Sequence, residues 1–230
     1  MLSTPEQYTI DQWMGCSSDH VLSGRLSHVV HPAIVDDFLG LQSAAADEDI
    51  DLQIASSFRD FDRQLGIWNA KAAGERSLLD DAGNALNFGD LDDWQRVQAI
   101  LRWSALPGSS RHHWGCDLDI YDAAAMPEGY QLQLTPQEYA SDGLFSRLVN
   151  WLPDALPRFG FYRPYAQDKG GTAPEAWHIS HRSTAEAILM SVSAADLRQS
   201  LRTRTDMLLV DTVLAHWDDI ERRYLQPAWQ

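Results

Sequence analysis

Cysteine is scarce. Cys16 and Cys116 are the only two in 230 residues, too few for a disulfide framework, so free thiols in a reducing compartment are expected. Positive charge is short as well. Lys and Arg total 18 against 33 Asp and Glu, a formal net charge of −15. Nucleic-acid and anionic-membrane binding both run on clustered basic residues and are not expected. No apolar run approaches the roughly 20 residues that span a bilayer. The first twenty residues contain no Lys or Arg and no apolar stretch of the roughly seven residues a secretory signal needs, so a cytoplasmic location is the expectation. Repeats, heptads, low-complexity tracts and Pro/Gly/Ser linkers are missing too, which leaves a single domain over residues 1–230.

What is there suits a packed core: 44% of the residues are hydrophobic and 22% charged. After Pro32, residues 33–46 carry Ile34, Phe38, Leu41 and Ala45 at helical spacing. Leu52 to Ala55 alternates like a short strand that runs into Ser57-Phe58-Arg59. Residues 60–72 and 91–103 are predicted helical, with a loop over 80–90 between them. Residues 116–121 (CDLDIY) alternate as a strand, and a second strand is expected over 177–180. Thr135-Pro136-Gln137-Glu138 has the form of a capping box, predicting a helix to about Trp151. Ser193 is placed to cap another helix, and Leu209, Val213, Trp217, Ile220 and Tyr224 predict a long C-terminal one. Helices at both ends with short strands between them make the expected class α+β.

Three segments concentrate unusual polar residues. In a strand, Asp117 and Asp119 share one face while Leu118 and Ile120 take the other. His112 can reach the same point if the chain turns at Gly115, and a His with a carboxylate suits Zn²⁺. Glu175 and His178 are three apart and converge only if Glu175 sits in irregular backbone after Pro174. His112, Asp119 and His178 then supply three ligands for one zinc ion. A fourth position stays open for water, whose pKa zinc lowers to about 7, and Glu175 is left to take its proton. Arg59, at a strand end, can meet an anionic substrate group or an oxyanion. Taken singly, each has a plainer reading: a structural histidine, a turn-capping aspartate, a surface arginine.

Ser110-x-His112-x-x-Gly115-x-x-x-Asp119, followed by Glu175-x-Trp177-His178 and preceded by Ser57-Phe58-Arg59 with Gln64, resembles the zinc D-alanyl-D-alanine carboxypeptidases and dipeptidases of the VanY/VanX type. Their wider group includes lysostaphin-type peptidases and the hedgehog signalling domain. The similarity covers about residues 30–182, with helical extensions on either side. It implies a small antiparallel sheet carrying one zinc ion, flanked by helices, and a small peptide or peptidoglycan fragment as substrate. It also implies His112, Asp119 and His178 as metal ligands, Glu175 as general base and Arg59 at the scissile carbonyl. Ser110, Gln64 and Trp177 would serve the substrate. The implied activity is D,D-carboxypeptidase or dipeptidase action at a terminal D-Ala. An L-Ala-D-Glu or L,D-peptidase and a non-catalytic, hedgehog-like metal module are the alternatives.

Three departures stand out, one of them Ala176, where the family usually has Pro. Asp117 occupies the position where the family usually has Ala, and it either steadies a ligand or contacts a substrate ammonium. His113 and His181 flank two of the implied ligands, leaving a one-residue ambiguity at 112/113.

Overall fold

Four short antiparallel strands in the order β1-β2-β4-β3 organise the chain in a computed structural model, which describes residues 7–229. They are β1 (Leu52–Ser56), β2 (Asp117–Asp122), β3 (Phe161–Tyr162) and β4 (His178–His181). The α+β class expected above is what the chain adopts. Leu118, Ile120 and Ile179 are fully buried on one face of the sheet. Strand alternation therefore sends Asp117, Asp119 and His178 to the other. Register does the rest: Asp119 lies directly opposite His178, and Asp117 opposite Ser180.

The flanking helices form largely where periodicity puts them. Pro32 opens a 3-10 turn that runs into the Val35–Ala46 helix, whose Phe38 meets Phe161 of β3 edge-on at 6.2 Å. Asp60 caps the Phe61–Ala72 helix by accepting from the Arg63 N–H. Asp92 and Gln95 form a reciprocal capping box on Asp93–Trp103, and Ser193 caps Ala194–Leu201.

Two helix expectations are corrected. Residues 135–140 form turns, and the helix begins only at Ser146, running to Ala155. Glu138 spends its carboxylate on the preceding loop, accepting from the Tyr130 hydroxyl and from the N–H groups of Gln133 and Thr135. The chain then folds back on itself at Gly143, where a Cβ would stand 2.3 Å from the Gln137 carbonyl oxygen. The long C-terminal helix is likewise broken. Val210–Ala215 stops at His216, whose φ of −108° leaves helical geometry while its ring stacks on Trp94 at 4.0 Å. Trp217–Ile220, a π turn over Glu221–Leu225 and a last turn at Gln226–Ala228 follow. The wide turn re-phases the chain so that both Tyr224 and Leu225 are buried. Among the described residues no helix is long and apolar enough to cross a membrane.

Candidate metal centre and cleft

A 3-10 turn at Arg111–Trp114 ends at Gly115, whose φ of +71° swings the chain into β2. Only glycine suits that corner, because a Cβ there would sit 2.4 Å from Val21 and 2.9 Å from the His31 nitrogen. The turn brings the His112 ring over the sheet. Its Nδ1–H donates to the Ser57 carbonyl at 3.0 Å, which leaves the Nε2 lone pair facing Asp119 Oδ2 at 3.2 Å. His178 is oriented in the opposite sense: Nε2–H donates to Asp117 Oδ1 at 2.9 Å, and Nδ1 is left 3.2 Å from Asp119 Oδ1. Pro174 precedes a turn in which the His178 N–H reaches the Glu175 carbonyl, and Glu175 Oε2 thereby comes within 3.4 Å of His178 Nδ1.

One ligand atom each from His112, Asp119 and His178 lies within 4.8 Å of the others, and all three residues are buried. Asp119 Oδ1 and His178 Nδ1 are buried without a hydrogen-bond partner. Orphaned groups of this kind carry a desolvation cost that a shared cation removes. The electrostatics point the same way. Burial alone would lower the His178 pKa, but Asp117, Asp119 and Glu175 outweigh it and push it well above the usual imidazole value. Burial would raise Asp119, yet His112 and His178 hold its carboxyl well below the ordinary range. Two imidazoles and one carboxylate, with unpartnered ligand atoms among them, are a donor set that fits Zn²⁺.

His113 and His181 are spent elsewhere. His113 Nδ1–H donates to the Arg59 carbonyl and its Nε2 accepts from the Gly108 N–H, while His181 is held between Thr184 and Asp37.

The cluster opens into a cleft of about 360 Å³ whose wall includes Arg59, Ser110, Glu175 and Trp177. A larger groove of about 1000 Å³, lined by Cys16, Val21, Phe58 and Arg204, holds none of these groups. Ser110 spends no side-chain hydrogen bond on its own helix, and Trp177 packs on Tyr139 with ring centroids 5.2 Å apart.

Two residues named from the sequence lie in the interior. Gln64 is fully buried. Its Oε1 accepts from Arg59 at 2.7 Å and its Nε2 donates to the Ala105 carbonyl at 2.7 Å, so it braces Arg59. Asp117 is sealed as well, its carboxylate taken by Arg111, His178 and Ser180. Of the two roles expected for it, this placement matches the steadying of a ligand, His178.

Three residues escaped the sequence reading. Lys71, one of only two lysines in the chain, lines the cleft seven residues along its helix from Gln64, and its side chain makes no hydrogen bond or ion pair among the described residues. Tyr165 packs edge-on to His178 at 5.0 Å, and its carbonyl accepts from the Glu175 N–H. Arg111 lies beneath Asp117. Only the seven-residue helical spacing of Lys71 from Gln64 was a legible signal.

A family model described as VanY, D-alanyl-D-alanine carboxypeptidase, matches residues 27–184, more than half of the chain. Two uncharacterized proteins of Haemophilus influenzae are similar to it. One is 48% identical over 110 residues, spanning 46% of this chain and 72% of the relative. The other is 34% identical over 122 residues, spanning 52% and 92%. The fold is shared with a vancomycin-resistance D,D-pentapeptidase VanY solved with Zn(II), at TM-score 0.51 and 20% identity over 76% of this chain and 86% of that one. It is shared also with the LdcB LD-carboxypeptidase, at TM-score 0.50 and 18% identity over 84% and 76%.

Proposed function

The chain belongs to the VanY family of D-alanyl-D-alanine carboxypeptidases, and on that premise we propose that it is a zinc peptidase removing a terminal D-alanine from a short cell-wall-type peptide or dipeptide. The observation that carries the reading is the convergence of His112, Asp119 and His178 with Glu175 3.4 Å from the same imidazole nitrogen.

Nε2 of His112, a carboxylate oxygen of Asp119 and Nδ1 of His178 would hold the ion. An ion held there would supply Lewis acidity to the scissile carbonyl and to the attacking water. Glu175 Oε2 takes the proton of the attacking water and passes it to the departing amine nitrogen. Arg59, its guanidinium steadied by Gln64 Oε1, donates to the oxygen that gains charge, a contribution of about 3 kcal/mol for a well-placed donor. The Ser110 hydroxyl is free to hydrogen-bond the substrate, Trp177 walls it, and Lys71 and Arg76 on the cleft wall attract its terminal carboxylate. A metal-binding module without catalysis has no use for Glu175 and Arg59 on the cleft wall.

The test is incubation of the purified protein with defined muropeptides, with and without a chelator, read by mass. Loss of one terminal alanine, abolished by the chelator and restored by zinc, is expected. Cleavage only between L-Ala and D-Glu, or no cleavage at all, overturns the reading.

A further inference from the structure

Arg111 is a fully buried cation whose donors reach into four parts of the chain. Its Nε donates to Asp117 Oδ1 at 2.7 Å, and one terminal nitrogen to the Ala228 carbonyl at 2.9 Å. The other terminal nitrogen donates to the Ser180 hydroxyl at 2.6 Å and the Tyr162 hydroxyl at 3.0 Å. Its face covers the Trp114 ring at 4.5 Å. Asp117 gathers the other ends of this network, accepting from His178 Nε2–H and the Ser180 hydroxyl, with the Cys116 thiol at 3.4 Å. Ala228 lies outside residues 27–184, which the family model matches, so the C-terminal segment is tied to the candidate metal centre through one guanidinium.

We propose that Arg111 is a positioning residue for the metal centre, and that the C-terminal segment acts on the centre through it. The inference rests on the metal site proposed above. Each link has a physical reason. A ligand imidazole is fixed in tautomer and orientation by what its other nitrogen meets, and here that partner is Asp117. A buried carboxylate holds that place only if a cation compensates it. Arginine alone can serve three directions from one rigid plane; lysine, a point charge, cannot span Asp117, Ser180 and Ala228 together. The Ala228 carbonyl and the Tyr162 hydroxyl keep the plane from turning. Asp117 and Arg111 therefore form one device, a carboxylate and the cation that compensates it.

The test is the Zn(II) dissociation constant of the full-length protein, by competition with a chromophoric chelator. It is measured alongside circular dichroism and thermal melting of the zinc-free form. Asp117→Asn and the double variant Arg111→Met/Asp117→Ala, which removes both buried charges together, should each bind zinc about 10- to 100-fold more weakly while staying folded. Arg111→Lys should lose less. A folded Asp117→Asn or double variant that binds within twofold of wild type overturns the proposal, because a purely structural role moves the melt and leaves affinity alone. Wild-type protein that binds no zinc removes the metal site itself, an outcome told apart because it precedes any substitution. Coupling is reciprocal, so zinc should slow hydrogen exchange over residues 217–229 in wild type and not in the double variant. Exchange in wild type that ignores zinc overturns the part assigned to the C-terminal segment.

Discussion

Asp117 and His178 meet at 2.9 Å, carboxylate Oδ1 to imidazole Nε2, on neighbouring strands and out of reach of solvent. Two residues along β2, Asp119 stands 3.2 Å from the other nitrogen of the same ring. The period-two alternation of a strand is what allows one imidazole to be addressed at both ends. One carboxylate accepts its proton and the other shares its lone-pair side. That division separates a group which orients from a group which ligates, although the two aspartates are alike in sequence.

Glu175 is the residue whose removal should separate binding from chemistry. Its carboxylate lies near the metal cluster but outside the three-residue set. Glu175→Ala should therefore retain one equivalent of zinc by metal analysis and lose about 100- to 10,000-fold in kcat, the usual worth of a positioned acid–base group. Wild-type turnover in that variant would remove the mechanism.

Arg59 and Gln64 should behave as donor and brace. Arg59→Met should cost about 100- to 1,000-fold in kcat with KM less affected, as for removal of a transition-state donor. Gln64→Leu leaves Arg59 without its shorter brace, and it strands the half-buried Ala105 carbonyl. It should cost about 1–3 kcal/mol of stability and a smaller part of kcat. Equal kcat losses in the two variants would assign Gln64 a direct part in the reaction.

Much of this was legible because the signals are local. The alternation of Cys116 to Tyr121, the turn at Gly115 and the irregular backbone after Pro174 each lie within a few residues of the groups they aim. Where the outcome depends on distant partners, local pattern misled. Glu138 looks like the fourth residue of a capping box, but Tyr130 and Gln133 compete for its carboxylate. The apolar spacing from Leu209 to Tyr224 is helical, yet Trp94, more than 100 residues earlier, stacks on His216 and interrupts it. Asp117 carried two readings until Arg111, Ser180 and His178 were seen to fill its oxygens.

Lys71 should tie substrate affinity to pH. Burial pulls its pKa down to about 8, Arg76 and Arg59 add to the depression, and Glu175 opposes it. Below that value the side chain is an ammonium facing the cleft; above it the charge is lost. KM for a peptide with a free C-terminal carboxylate should therefore rise as pH increases through about 8. Lys71→Arg keeps the charge and should flatten the rise, while Lys71→Gln should show the high KM throughout, about 10-fold above wild type near pH 7 for one lost charge-assisted contact. A KM profile in Lys71→Gln that still climbs through pH 8 would place the titrating group elsewhere.

Acid should unfold the protein through histidines buried in neutral form. His31 Nδ1 accepts from the Ala33 N–H, capping the turn at Pro32, while Nε2 meets the Tyr8 hydroxyl at 2.9 Å. A proton on Nδ1 would turn that acceptor into a second donor facing the Ala33 N–H. Burial, with His20 and His181 nearby, lowers the His31 pKa to about 4, and burial lowers His113 to about 3. The folded-state value lies below the unfolded one of about 6.5, so between the two the unfolded chain binds a proton that the folded chain refuses. The stabilising effect of a neutral His31 is thus complete above about pH 6.5 and lost progressively as pH falls toward 4, a change on the order of 3 kcal/mol. His31→Asn keeps an acceptor at the cap position and removes the titration. Its baseline stability should drop, but the slope of unfolding free energy between pH 6.5 and 4, from denaturant melts, should be shallower than in wild type by close to one proton. An unchanged slope would mean that His31 is already protonated in the folded chain.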